Sequence, residues 1–572
     1  MSLKICYIWV DNFRNFKDFG FNLSGFCKFH FNSKDHYLTS NNTDPLPNDF
    51  FGNSISDVIG IIGKNGSGKS NAVELVCKVL KGAKSSINSD FLFVIEENGH
   101  FICYYSFQVS ISPKSSLKIQ FQEYNGSINP LKVVFFSNVF DERKNEFDKE
   151  VTDISVNNLF RRNIFLRKEK FTDFEKQIRL IDSKIFPSLN IDLPTKVQLT
   201  SKVWINRFNA SMERNLYSEN FESIRELKSI FRDRLREIRP ENKFIHLFRF
   251  GFFFDTYNNY FRNNRFRGND LRDIKREFEE FIPSLFKLRT EDISENMIYF
   301  LKKEFLNTPP PQPTLFFEHD NIRDYENEFE KFKRQIDFLL NLKFLLSELN
   351  LAYNTEGARN RSLEYFTFEY DSKVSKSFIN EYITLFGQSN VFEINWLGIS
   401  SGHKAYLNLF SSLYQELRYT RQPNLLLCID EGDLYLHPMW QTEFFDKLLS
   451  VLPVIYAGKV QLILTSHSPF LLSDLPKQNI TILDKDIIGS SKNGVDLKNN
   501  TFGGNLYDLY SEPFFLGKKR TSDFAYNKIK ELIKSIENKD ISKSKKDALL
   551  QVANIIGDEI IQFQIKKLLN ND

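Results

Sequence analysis

Gly63-Lys64-Asn65-Gly66-Ser67-Gly68-Lys69-Ser70 is the stretch that decides the fold of this chain. It matches the G-x-x-x-x-G-K-[ST] pattern, in which glycines let successive backbone N–H groups curl around a triphosphate at the positive end of the following helix. Gly63, Lys64, Asn65, Gly66, Ser67 and Gly68 would form that cradle. Lys69 would reach the β and γ phosphates, and Ser70 would ligate Mg²⁺. The preceding run Val58-Ile59-Gly60-Ile61-Ile62 reads as a buried strand, and Lys69 to about Leu80 reads as a helix. An ordinary Gly-rich turn is the bland alternative. The flanking strand and helix argue against it.

Further along, residues 424–429 are a buried strand that ends in Asp430-Glu431. A nucleotide hydrolase needs carboxylates there: Asp430 for the Mg²⁺ shell, Glu431 to polarise the attacking water. Alone, an acidic pair at a strand end is more often solvated surface; paired with the loop at 63–70 it supplies the other half of one site. Ile399-Ser400-Ser401-Gly402-His403-Lys404 precedes the helical run 405–413, so small hydroxyl and glycine residues open a second anion-binding helix terminus. In isolation Ser-Ser-Gly reads more readily as a helix cap. Ser466-His467-Ser468-Pro469 follows a strand over 461–465, placing His467 at the crevice outside the sheet's carboxyl ends.

Between these motifs the texture changes. Residues 1–31 alternate as strands, with Ile5, Tyr7 and Trp9, then Phe19, Phe21 and Leu23, then Phe29 and Phe31 in period-2 sets that suggest an antiparallel edge. Strands are expected at 91–96 and 101–110 around the turn Glu97-Asn98-Gly99, and at 132–136. From 141 to 390 the chain becomes long, charged and helical, as in 221–238, 272–281 and 321–349, with a break at Pro309-Pro310-Pro311. No heptad is sustained there, so a long coiled-coil arm is not expected. The division is therefore 1–140 with the phosphate loop, 141–390 as a mostly helical insertion lobe, 391–510 with the later motifs, and 511–572 as a Lys-rich helical tail.

Taken in this order, the motifs resemble those of ATP-binding-cassette (ABC) ATPases of the SMC/RecF-like branch: Walker A at 63–70, signature at 399–404, Walker B at 425–431 and switch histidine at 467. The resemblance implies an α/β fold, a P-loop head with a mixed sheet and helices, split by a large insertion. It also implies a head-to-head dimer, in which Ser400, Ser401 and Gly402 of one protomer meet the ATP held by Lys69 of the other, with Glu431 and His467 catalytic and Ser70 and Asp430 holding Mg²⁺. Ser401 stands where many members have glycine and His403 where Glu or Gln is common. The Mg²⁺-sensing loop has only Ser137-Asn138 as a candidate.

A narrower likeness rests on three segments: Asp430-Glu431-Gly432-Asp433-Leu434-Tyr435-Leu436-His437-Pro438, the run 466–480, and Thr501-Phe502-Gly503-Gly504-Asn505-Leu506-Tyr507-Asp508-Leu509. With Asp11-Asn12-Phe13-Arg14-Asn15-Phe16 and Phe136-Ser137-Asn138-Val139-Phe140-Asp141, these are similar to the Septu and retron-associated ATPases of bacterial anti-phage defence. That likeness implies a regulatory subunit with an HNH-type nuclease partner and, in a retron system, a reverse transcriptase with its RNA–DNA product. A RecF-type DNA-repair ATPase is the alternative. A self-contained nuclease of the overcoming-lysogenization-defect type fits less well, because the sequence after His467 reads as helices without the strand-end carboxylates of such a site.

Composition is consistent with these readings. Lys and Arg number 76 against 73 Asp and Glu, a net +3, so any nucleic-acid partner must be met by a local patch. One candidate patch is 248–272, where Phe248-Arg249-Phe250-Gly251-Phe252-Phe253-Phe254, Tyr257, Tyr260, Phe261, Arg262, Arg265, Phe266, Arg267 and Arg272 interleave cations with aromatics. A helical core with a solvated basic face fits the same residues, and the 59 Phe of the chain favour it. Five unpatterned cysteines, no signal-like leader and no long apolar run point to a cytoplasmic chain with no membrane contact.

Overall fold

The computed structural model describes residues 2–43, 46–47, 49–82, 87–109, 111–139, 146–157, 172–203, 220–262, 277–278, 280–306, 319–356, 363–387, 391–486, 489–494, 497, 499–511, 522–537 and 543–570. The chain opens with β1 (Leu3–Phe13), β2 (Phe16–Asn22), β3 (Cys27–Asn32), β4 (Tyr37–Asn42), β5 (Ile55–Gly63) and α1 (Lys69–Leu80). There follow β6 (Phe91–Glu97), β7 (His100–Ser106), β8 (Ile119–Glu123), β9 (Leu131–Ser137) and β10 (Val151–Asp153). The middle of the chain holds α2 (Asp173–Ile181), β11 (Lys196–Ser201), α3 (Asn220–Leu235), α4 (Pro240–Arg262), α5 (Thr290–Leu306), α6 (His319–Leu346), β12 (Ala352–Glu356), β13 (Leu363–Glu369), α7 (Lys373–Phe386) and β14 (Phe392–Leu397). The last part contains α8 (Ser401–Leu417), β15 (Asn424–Asp430), α9 (Pro438–Ile455), β16 (Lys459–Thr465), α10 (Pro469–Asp474), β17 (Ile480–Lys485), β18 (Ser491–Asn493), α11 (Leu506–Ser511), α12 (Asp523–Glu537), α13 (Lys543–Asn554) and α14 (Glu559–Asn570).

Seven strands form the central sheet in the order β10-β9-β15-β16-β5-β17-β18, all parallel except the final hairpin. A parallel sheet is covered on both faces, which is why β15 reads Asn-Leu-Leu-Leu-Cys-Ile-Asp and is buried throughout. Register brings Asp430 level with Thr465 on one side and Ser137 on the other, so three strand ends meet at one edge of the sheet. The loop after β5 opens there too.

A second, five-stranded sheet has the order β2-β1-β6-β7-β8. Here two expectations change. β1 lies between β2 and β6 and is not an edge, and a bulge between Ile5 and Tyr7 reverses the phase of its side chains. Ile5 packs with Ile8 and Val10 toward α1, whereas Tyr7 and Trp9 pack with Phe29 and Phe31 of the β3–β4 hairpin. A single inserted residue thus makes Ile5, Tyr7 and Trp9 two sets, a shift that period-2 counting passes over. The turn at Glu97-Asn98-Gly99 forms as read, with Asn98 and Gly99 both at positive φ.

The segment read as mostly helical also carries a four-stranded antiparallel sheet, β12-β13-β11-β14. Strands of five to seven residues amid long helices give little periodic signal, so β11 and β12 went unseen. Because β14 pairs with β11 along its length, this sheet crosses the boundary drawn at 391. The expected helices at 221–238 and 321–349 are α3 and α6. The break at Pro309–Pro311, most of the helix expected at 272–281, and Lys518-Lys519-Arg520 lie outside the described residues.

α4 places the first part of 248–272, through Phe254, in the core and not on a nucleic-acid surface, in line with the reading that the Phe content favours. Every residue from Phe244 to Phe254 is buried, and a helix apolar on all sides belongs in a core. Phe248 has ring contacts with Phe386 at 4.8 Å, Phe392 at 5.4 Å and Tyr382 at 5.7 Å. Arg249 is buried as well, donating through Nε to Leu339 O at 3.0 Å and through Nη2 to Leu340 O at 3.3 Å. Its guanidinium satisfies backbone carbonyls near the end of α6 and is not offered to a phosphate. Arg265, Phe266, Arg267 and Arg272 lie outside the described residues, as do the side chains of Tyr257, Tyr260, Phe261 and Arg262. Phe248→Ala is expected to lower the unfolding free energy by about 3–5 kcal/mol, read by denaturant titration, because it empties a ring-sized space in this core.

One apolar cluster runs without a break from Val58, Ile62, Leu425 and Leu427 of the central sheet to Phe244, Phe248, Phe338 and Phe366. By contrast α12, α13 and α14 have a small core of their own, including Leu532, Ile536, Ala553, Ile565 and Leu569. Among the described residues no helix is long and apolar enough to cross a membrane.

Candidate functional site

The loop 63–70 is shaped by its glycines and by its neighbours. Gly66 and Gly68 stand at φ 69° and 102°, a left-handed backbone that side chains rarely adopt, and Gly68 is the residue capping α1. Lys64, Asn65 and Gly66 are exposed, while Gly63, Ser67 and Lys69 are buried. Lys69 Nζ donates to Gly63 O at 3.1 Å and reaches Lys64 O at 3.5 Å, folding the side chain back over the loop. Burial pushes the Lys69 ammonium down to about 8, partly offset by the nearby Glu431 and Asp430.

Asp430 is the hub of the site. It is almost fully buried and accepts from Thr465 Oγ1 at 2.6 Å, Ser70 Oγ at 3.1 Å and Ser137 Oγ at 3.4 Å. Burial holds its carboxyl above the usual carboxylate range, opposed by the Thr465 and Ser70 hydroxyls. Glu431, next in the chain, leaves the strand at φ 51°, its N–H donating to Thr465 Oγ1 at 3.0 Å and to Thr465 O at 3.1 Å. A non-glycine residue held there is strained, and such positions persist where surrounding bonds over-determine them. The turn swings its carboxylate to His467, with Oε1 3.2 Å from Nε2. That contact outweighs partial burial and keeps the Glu431 carboxyl below its ordinary range.

Ser70 and Asp430 present hard oxygen donors side by side, with Thr465 and Ser137 on the same carboxylate, a donor set that suits Mg²⁺. Ser137 belongs to the Ser137-Asn138 pair that is the sequence candidate for the Mg²⁺-sensing loop; Asn138 donates through Nδ2 to Leu434 O at 3.0 Å, tying β9 to the turn after Glu431.

Ser400, Ser401 and Gly402 are placed differently. No described hydrogen bond or ion pair joins them to 63–70, 430–431 or 467. Ser400 caps α8 by accepting from His403 N at 3.1 Å, so the capped-helix reading holds within the single chain, and both serines are exposed. A side chain on Gly402 would come within 2.7 Å of Tyr435 O, so glycine is what lets the turn 432–437 press against the start of α8. His437 caps α9, accepting from Met439 N at 3.3 Å, with Pro438 in the first helical turn.

Several residues of the site were not read as such from the sequence. Thr465 links Asp430 and Glu431, and its only signal was a small polar residue closing an apolar strand. Asn15 and Ser491 both donate to Ser67 O, and Asn71 Nδ2 donates to Asn15 Oδ1. Arg14 pairs with buried Glu74 of α1 at 2.5 Å. Ser491 lies in a three-residue strand that carries no pattern.

A family model described as "AAA domain, putative AbiEii toxin, Type IV TA system" matches residues 58–473, from the strand before the phosphate loop to just beyond His467. The chain belongs to this AAA-type P-loop family. Relatives of this AAA-type chain include the Retron Vc95 probable ATPase of Vibrio cholerae serotype O1 biovar El Tor, 26% identical over 204 residues, covering 30% of this chain and 38% of the relative. The Septu protein PtuA of Bacillus thuringiensis is 33% identical over 89 residues, 14% of this chain and 21% of that one. The Retron Ec83 probable ATPase of Escherichia coli is 25% identical over 150 residues, 25% and 27% of the two chains. These are the groups that the sequence motifs resemble. The matched stretches span well under half the length of each relative.

Proposed function

We propose that this chain binds and hydrolyses ATP with Mg²⁺ as an ABC-type head interrupted by an insertion, and that two heads close on two nucleotides. The observation that carries the reading is the bond from Ser70 to Asp430 beside the contact of Glu431 with His467. In one edge of one sheet these join a phosphate cradle, a cation-holding pair and an activated carboxylate. The loop 63–68 would hold the phosphates, Lys69 would turn from the carbonyls of Gly63 and Lys64 to the β and γ oxygens, and Ser70 and Asp430 would hold Mg²⁺, which would supply charge neutralisation there. Glu431 orients and polarises water, and His467 positions Glu431 and the γ-phosphate end.

The exposed Ser400 and Ser401 and the buried Gly402 are left for a partner head, where the N-terminus of α8 meets the triphosphate held by the other protomer. Light scattering of the full chain tests this: ATP with Mg²⁺ is expected to convert monomer to dimer, and Ser400→Arg to block the dimer while ATP still binds. A chain that binds ATP and stays monomeric at high concentration overturns the head-to-head arrangement.

Similarity to retron and Septu proteins, together with the partners that the sequence resemblance implies, extends the proposal to biology. The ATPase acts as sensor and regulatory subunit of an anti-phage defence complex, with the destructive chemistry on an HNH-type nuclease and, in a retron arrangement, with a reverse transcriptase and its RNA–DNA product.

A further inference from the structure

The hairpin β17–β18 is built against the phosphate loop and takes no part in the chemistry above. Four anchors hold it. Leu483 O lies against Gly63, where a side chain would collide with it. Asp484 pairs with Lys64 at 3.3 Å and, within the hairpin itself, with Lys492 at 4.0 Å. Ser491 donates through Oγ to Ser67 O, and its N–H donates to Asn15 O at 2.8 Å. Lys485 stands opposite Ser491 in the ladder, so these anchors fix the backbone from which its side chain rises.

That side chain lies on Gly66, where any side chain would collide with Lys485 Nζ. Lys485 is exposed and makes no ion pair among the described residues, whereas Asp484 beside it is engaged by Lys64 and Lys492. An ammonium resting on the glycine loop that opens α1 adds positive charge to the positive end of that helix. Among the described residues no carboxylate pairs with Lys485, and the first turn of α1 has no acidic residue. A bound polyphosphate would relieve both.

We propose that Lys485 is a second cation for the phosphate chain of the nucleotide, held over the loop by the β17–β18 hairpin, and that it makes the site selective for longer phosphate chains. This rests on the ATP-site reading. The competing outcome is a solvated hairpin lysine with no ligand. Lys69 would reach the phosphates from the start of α1 and Lys485 from the β17–β18 hairpin, two separate elements, so the two are not redundant. A charge-assisted contact of this kind is worth about a tenfold change in affinity or more.

The test is calorimetric titration of ATP, ADP and AMP into the full chain. Lys485→Ala is expected to weaken ATP about tenfold, ADP less and AMP not at all, and Lys485→Arg to keep ATP affinity within about twofold. The melting temperature without nucleotide should be unchanged in both, since the side chain is exposed. ATP affinity equal to wild type in Lys485→Ala, together with its loss in Lys69→Ala, overturns the proposal and leaves the ATP site standing. Unchanged affinity in Lys69→Ala as well overturns the ATP site itself.

Discussion

Lys69→Ala is expected to weaken ATP binding by a factor of about 100 or more, with no loss of stability in the nucleotide-free protein. Both halves follow from where the ammonium sits. It is buried, among the described residues its hydrogen-bond partners are the Gly63 and Lys64 carbonyls, and burial lowers it to about 8. A buried cation so weakly compensated costs the folded state, and phosphate oxygens supply what the carbonyls do not. The sign of the pH dependence is fixed by the same shift. Between pH 8 and the ordinary lysine value near 10.5, the unfolded chain keeps a proton that the folded chain gives up, so nucleotide-free stability rises through that window. Alanine removes the slope. Binding of ATP should also take up a proton above pH 8, because the phosphates restore the charged form. Calorimetry in buffers of different ionisation enthalpy measures that uptake directly. A variant with wild-type affinity and an unchanged pH slope would remove Lys69 from the site.

Glu431→Gln is expected to cut turnover by about 10²–10⁴ while leaving ATP bound, so that the closed assembly accumulates. The substitution keeps the shape of the side chain and both backbone bonds to Thr465 that hold the positive-φ turn. An amide oxygen still faces His467 Nε2. What it loses is the carboxylate, which His467 keeps ionised below its ordinary range and which alone can take a proton from water. Single-turnover hydrolysis and size-exclusion chromatography with ATP read the two effects separately. Turnover within a few-fold of wild type would move the base elsewhere, and the strained backbone at Glu431 would then need another explanation.

The candidate site was legible because its chemistry is local. A glycine pattern with a fixed lysine, and two carboxylates closing an apolar strand, each need only adjacent residues, and Asp430, Glu431, Lys69 and Ser70 sit where adjacency put them. Thr465, Asn15 and Ser491 were harder to see, since each acts on a partner far along the chain and no sequence spacing ties it to that partner. The same contrast holds for the fold. Strands β5, β15 and β16 were read from apolar runs, whereas the four-stranded sheet of the middle segment and the bulge in β1 depend on pairing partners.

By itself, then, the sequence determined a P-loop core: period and composition set the strands and α1, and glycines set the cradle. Tertiary structure decided the rest. It decided that Phe244–Phe254 is core, because residues from α3, α6, α7 and β14 surround it and leave no face for a nucleic acid. It decided that the middle segment shares one continuous core with the central sheet, and that no described hydrogen bond or ion pair joins Ser400 and Ser401 to Lys69 within one chain. The physical reason is common to all three. Burial and proximity are properties of pairs of residues brought together by folding, and a one-dimensional pattern records them only when the partners are neighbours in the chain.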